Sequence, residues 1–322
     1  MSGSRTSPRL VALGLGAMVA GSALAGATPV AAATDCTYTF PDIGGTYDKV
    51  VKAGQTICGG PGDDTVTRLN GGSFLGYGGN DHVETLRSGL FDGGKGDDTV
   101  GRQLGGYFLG HDGQDSLAIL INGTFSGGQD DDSITEEHRK GVFAAGPGND
   151  SSIRQSGGTT RGGSGIDRVE TLTGNAVFNG GPHRDSVGDL LGSARFAGNK
   201  GPDRVEDQLG DEAEFFGGPG NDRVLRMTGS ARFSGGEDRD TVEWLHDFAV
   251  FNGGPKADAV ARQLGGVFGG NKGPDSVGSA EGFYGLAAGL ANGGPGKDSI
   301  NICAGGTGTE TRFEVTTTTT CP

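Results

Sequence analysis

The chain has 322 residues, 67 of them Gly, and only 33% are hydrophobic, against the near half usual for a globular domain. Gly does not recur at every third position, as the run Asp63-Asp64-Thr65-Val66 shows, so a collagen helix is excluded. The formal charge of −14 disfavours nucleic acid and anionic membranes as partners and favours cations.

The N-terminal segment reads as a processing signal. Arg5 and Arg9 precede an apolar stretch from Leu10 to about Ala27, and Ala31-Ala32-Ala33 offers small residues for cleavage. Residues 1–33 are therefore expected to be a signal peptide, with the mature protein secreted to the extracellular side. Their removal takes away two Arg and no acid, leaving 24 basic against 40 acidic residues, or −16. No other segment is apolar enough to span a bilayer with a helix. Four cysteines remain, paired toward the two ends as Cys36 with Cys58 and Cys303 with Cys321. An even count in an exported chain points to disulfides, and zinc-type spacings are absent.

Residues 34–56 are expected to form an N-terminal cap, residues 57–302 a repeat domain and residues 303–322 a C-terminal capping strand. The repeat is carried by an Asp column at Asp64, Asp81, Asp98, Asp115, Asp132, Asp150, Asp167, Asp185, Asp203, Asp222, Asp240, Asp258, Asp275 and Asp298. Successive members are 17 to 19 residues apart, except for a final step of 23. Two residues after each Asp stands an aliphatic residue such as Val66, Val83 or Val100, with Ser152 departing. Seven residues before it stands Phe in eleven of the fourteen units, Thr160 being one exception; these account for eleven of the chain's sixteen Phe. A disordered chain does not space aromatics this way, and a fixed period below fifty residues means stacked coils.

Each coil is predicted to hold two short strands, one with the Val position and one with the Phe. A Leu three or four residues beyond the Val, as at Leu69, Leu86, Leu104, Leu172, Leu190 and Leu264, is expected to share the core. Stacking then buries Val and Phe ladders that no single coil could bury alone. The turn before the Asp takes the form Gly-Gly-x-Gly-x-Asp, complete five times, as from Gly59 to Asp64 and from Gly93 to Asp98. Gly accepts positive φ and Asp accepts local backbone hydrogen bonds, so both suit a tight turn.

The unit Gly93-Gly94-Lys95-Gly96-Asp97-Asp98-Thr99-Val100 resembles the RTX (hemolysin-type) glycine-rich nonapeptide repeat, across about residues 57–300. The resemblance implies an all-β fold: a right-handed parallel β-roll or β-helix solenoid of about fourteen coils with a period near eighteen residues. It also implies calcium held between the Asp-bearing turns of neighbouring coils, with the fourteen column Asp residues as ligands. Only one turn per coil carries the Asp, so a single row of sites is expected. The N-terminal leader departs from that family's usual export route.

Stacked carboxylates at strand spacing repel by roughly 3 kcal/mol per pair at an effective dielectric near 20, so the column calls for counter-charge. Calcium, which takes six to eight oxygens from carboxylates and carbonyls, suits it better than magnesium. The competing reading has each Asp capping its own turn and facing water. In the second half, cations within the turns (His183, Arg184, Lys200, Arg239, Lys256, Lys272 and Lys297) offer another source of neutralisation. The five His form no metal spacing, and no Gly-x-Ser-x-Gly or His-Glu-x-x-His occurs. No enzyme activity is expected. A polysaccharide-acting β-helix or carbohydrate-binding protein is the alternative, as is a degenerate solenoid that needs no calcium; the loop around Glu281 is where such a site would sit. Cell-wall or other extracellular polymers are the macromolecular partners considered.

Overall fold

The computed structural model describes residues 35–278, 285–303, 307–313 and 315–319. The expected leader, the Glu281 loop up to Tyr284 and Cys321 lie outside the described residues. What is described is an all-strand parallel solenoid: each strand pairs in parallel with its equivalent one coil before and one coil after. Residue identity along the columns is retained in the register. Val83 faces Val100, Phe91 faces Phe108, and Leu172 faces Leu190.

Each coil has the two expected strands. In one coil they are Ser116–Leu120 and Thr124–Gln129; in three places they run together, as in Asp64–Gly78. The residue two after the Asp and the Phe are buried from both sides: Val66, Val83, Leu117, Phe108 and Phe125 have no exposed surface. Phe74 to Phe143 stack face to face with ring centroids 4.6–5.0 Å apart, and Phe178 to Phe268 do so at 4.7–5.2 Å. That spacing is the interstrand distance, so the backbone stack imposes the ring stack.

The second core column differs from expectation in two coils. In these two coils it lies three residues beyond the Val position, so Gln103 and Gln263 are buried there and Leu104 and Leu264 are only half-buried. The amides are accommodated because each Nε2 donates to two backbone carbonyls. Gln103 reaches Gly106 and Thr124 at 3.1 and 2.9 Å; Gln263 reaches Gly266 and Leu290 at 3.3 and 3.0 Å.

At the N-terminal end the solenoid begins earlier than residue 57. Gly45–Lys52 is itself a coil strand, pairing Tyr47 with Val66 and Val51 with Leu69. Phe40, 4% exposed, closes that end, its ring edge-on to Phe74 at 6.2 Å. The Cys36–Cys58 disulfide is present, with Cα atoms 5.8 Å apart. At the other end the strand Val315–Thr319 pairs onto Ser299–Cys303. Cys303 is also disulfide-bonded.

Candidate functional site: a buried aspartate ladder

The Asp-bearing turn has a fixed backbone shape. Four residues before each Asp from Asp81 onward the chain takes positive φ, as at Gly94 (111°), Gly128 (133°) and Gly163 (115°). Where Gly is missing there, Tyr77 (70°), His111 (83°), Asn199 (77°) and Asn271 (75°) adopt the same conformation; His and Asn are among the residues that tolerate it best, and Tyr77 is the bulky exception. This turn carries the chain round so that the next residues bring Asp back under the coil.

All fourteen column carboxylates are buried, at 0–2% exposure. None faces water, and of the fourteen Asp64 caps its own turn, its Oδ2 accepting the Gly60 amide at 3.1 Å. The amide of each Asp donates to Oδ1 of the Asp one coil further along. The ladder runs unbroken from Asp64 N–H to Asp298 Oδ1 at 2.7–2.9 Å. It even crosses the 23-residue step, where Asp275 donates to Asp298 at 2.8 Å.

A second ladder lies on the outer side, one residue earlier in each turn, and runs the opposite way. Asn80 N–H donates to Asp63 Oδ1, Asp97 N–H to Asn80 Oδ1, and Gln114 N–H to Asp97 Oδ1, at 2.7–2.9 Å. It resumes from Asp131 through Asn149 to Ile166.

The other oxygen of each inner carboxylate has no partner. Oδ2 is buried and unbonded at Asp81 and at every later member of the column through Asp298. From Asp81 to Asp275 desolvation therefore pushes these carboxyls far above the usual range, opposed in part by the ladder amide. Asp81, Asp115, Asp132, Asp185 and Asp240 rise to about 8, and Asp222 to about 9. Asp98, Asp150, Asp203 and Asp258 rise to about 7, and Asp167 and Asp275 to about 6. The neighbouring column carboxylates add to the rise at most of these positions, among them Asp81, Asp222 and Asp240.

The orphan oxygen points at the residue five before its own Asp. That residue is Gly in thirteen coils and Ala145 in the coil of Asp150. A Cβ added to Gly76 would collide with Asp81 Oδ2 and with the Gly93 carbonyl oxygen of the next coil; at Gly110 it would collide with Asp115 Oδ2 and lie 2.5 Å from the Gly127 carbonyl oxygen. The same pair of oxygens, carboxylate and next-coil carbonyl, recurs at Gly59, Gly162 and Gly217. The cradle is lined by oxygen donors, the chemistry calcium selects. Among the described residues no three His, Cys, Asp or Glu side chains converge on one point. A cation in this row would thus take one or two carboxylates and draw its remaining oxygens from turn carbonyls.

The sequence pattern identified every member of the Asp column. It did not single out the Gly five residues earlier, although that Gly survives where the other turn glycines are lost, and counting each turn position separately would have found it. Among the described residues the turn cations of the second half form no ion pair with the column; the ion pairs there include His111–Asp92, Arg139–Glu137, Arg168–Glu206, Arg195–Glu214 and Arg223–Glu243. The charges of His183 and Arg239 nevertheless pull Asp167 and Asp258 down in part. Comparison with protein-family models, with curated proteins and with solved structures yields no match. Fold and site define a parallel β-solenoid with one internal aspartate ladder.

Proposed function

We propose that the chain is a secreted calcium-binding solenoid of the glycine-rich nonapeptide type, in which calcium ions occupy the row of orphan carboxylate oxygens and hold the coils together. The observation that carries this reading is the line of thirteen buried Oδ2 atoms without partners, with a carbonyl oxygen of the adjacent coil in the same cradle at Gly76, Gly110, Gly162 and Gly217. Burying a carboxylate with an unmet oxygen is costly, and a divalent cation is the partner that offsets it for a whole row at once. The leader-like N-terminus, the acidic surface and the cysteine pairs support an extracellular setting. No catalytic constellation is set out in the sequence, so a structural or adhesive role at the cell surface, in contact with extracellular polymer, is the function proposed.

The test is a thermal melt of the protein with chelator, with calcium and with magnesium, carried to about millimolar because extracellular sites commonly bind at about 10⁻⁴ to 10⁻³ M. Binding to the folded state alone raises the midpoint by mass action. Calcium should raise it well beyond equal magnesium. Identical melts in calcium and chelator would leave a solenoid that stands without metal.

A further inference from the structure

The core is not continuous. One apolar cluster extends from Phe40 to Ala145 and a second from Val169 to Ile300. Between them lies a coil in which every core column changes character: Ser152 stands in the Val column, Gln155 in the Leu column and Thr160 in the Phe column, all 0–3% exposed. His138, fully buried, occupies the Leu column one coil earlier. The Phe stack stops at Phe143 and restarts at Phe178.

The architecture changes at the same place. Up to Thr160 the residue two before the Phe column is Gly, as at Gly72, Gly89, Gly106, Gly123, Gly141 and Gly158. Beyond it buried Ala takes over for five coils, at Ala176, Ala194, Ala213, Ala231 and Ala249, before Gly returns at Gly266 and Gly289. Ala145 also fills the turn cradle in this coil alone. We propose that the coil from Ala145 to Thr160 divides the solenoid into two blocks that unfold separately, and that protonation of His138 loosens the joint between them.

The joint is held by polar contacts in place of apolar stacking. Thr160 Oγ1 donates to Gln155 Oε1 at 3.0 Å and lies 3.3 Å from His138 Nδ1; Ser152 Oγ and His138 Nε2 are buried without partners. In a one-dimensional stack, cooperativity passes only through nearest-neighbour interfaces, so one weak interface uncouples what lies on either side.

No charged group faces the imidazole. On its own strand and turn Glu136, Arg139 and Lys140 are exposed, and Glu137 is half-buried and paired with Arg139. On the strands packed against it, Arg154 and Arg161 are exposed. Burial holds the histidine down to about 4, against 6.5 when the joint is open. A lowered histidine favours the open form as pH falls through the interval between the two values. Opening should therefore rise about twenty-fold from pH 7 to pH 5 on this group's account, by proton linkage.

Hydrogen exchange with mass spectrometry on the full chain tests both parts. Under mild denaturant, peptides from 64–143 and from 168–277 are expected to exchange as two units with different opening free energies, and peptides from 145–160 faster than either. After correction for intrinsic rates, acid should speed the 145–160 peptides about twenty-fold more in the wild type than in His138→Leu. Thr160→Phe with Ser152→Val is expected to merge the units. A single unit spanning both blocks in the wild type overturns the division. An acid response unchanged in His138→Leu overturns the role of the histidine. Both of those readouts stand even if the double variant does not fold.

Discussion

Asp115 shows the two-sided nature of the column. Its Oδ1 accepts the Asp98 amide at 2.8 Å, while its Oδ2 is buried with no partner. Asp115→Asn keeps an oxygen for the amide and removes the charge that burial penalises. In chelator at pH 8 the variant should melt higher than wild type by a few degrees, each kcal/mol being worth about 2 °C or more in a chain of this size. In calcium the order should reverse, because a neutral amide is a weaker ligand than a carboxylate. Melts in the two buffers decide it; a variant that is less stable in both would mean that the carboxylate acts only as a turn brace. Gly110→Ala is the companion change. Its Cβ would collide with Asp115 Oδ2, so it should lower the calcium-induced rise in midpoint, as read by the same melts. At this scale the Asp residues were legible because their spacing is regular. Their burial was not, since the Gly that makes room for Oδ2 reads in the sequence as one more turn glycine.

Strands and turns are set by the repeat, and the Phe strands contribute most of the apolar burial. Phe108 is fully buried between Phe91 and Phe125, at 4.9 and 4.6 Å. Neighbouring coils cannot collapse into the space left by Phe108→Ala without losing their own register, so the loss should reach about 3 to 5 kcal/mol. Denaturant unfolding measures it, and a loss below about 1 kcal/mol, the usual surface range, would contradict the packed ladder. Two strands per coil, the Val column and the Phe column were all readable from period alone. The second core column was readable at Leu69, Leu86, Leu172 and Leu190 but not in two coils, because Leu104 sits next to Gln103, and hydrophobicity alone prefers the leucine. Backbone register decides for the glutamine, which survives burial only by donating to Gly106 and Thr124. The first coil was hidden for a different reason: Gly45–Lys52 has neither the Asp nor the Phe of the pattern, yet it pairs in parallel with the next coil, with a register shift between Tyr47 and Val50.

The molecule as a whole is a one-dimensional stack, so its ends and its internal charge govern its stability together. End coils have a single neighbour and fray first. The Cys36–Cys58 link closes a 22-residue separation at the N-terminal end. Opening it with Cys36→Ser and Cys58→Ser together should cost roughly 3 kcal/mol on the chain-entropy account, with proteolysis beginning at that end. The internal charge makes a sharper test, because it predicts a sign. The twelve column carboxyls from Asp81 to Asp275 have folded-state values raised from 3.8 to between about 6 and 9. A raised value means the fold prefers the protonated form. The stability contributed is then complete below the ordinary value and is lost as pH rises through the folded one. In chelator the melting midpoint should accordingly fall steadily from pH 5 to pH 8. In excess calcium the metal and the proton compete for the same oxygens, and the ionised carboxylate is the ligand. The midpoint should then rise over the same interval, so that the curves in calcium and in chelator diverge toward high pH. Twelve carboxyls titrating in one direction make the slope large enough for calorimetry at unit pH steps. Parallel curves in the two buffers would show that the column takes up protons but not calcium, and the solenoid would then be one that is held together at neutral pH by its Phe and Val ladders alone.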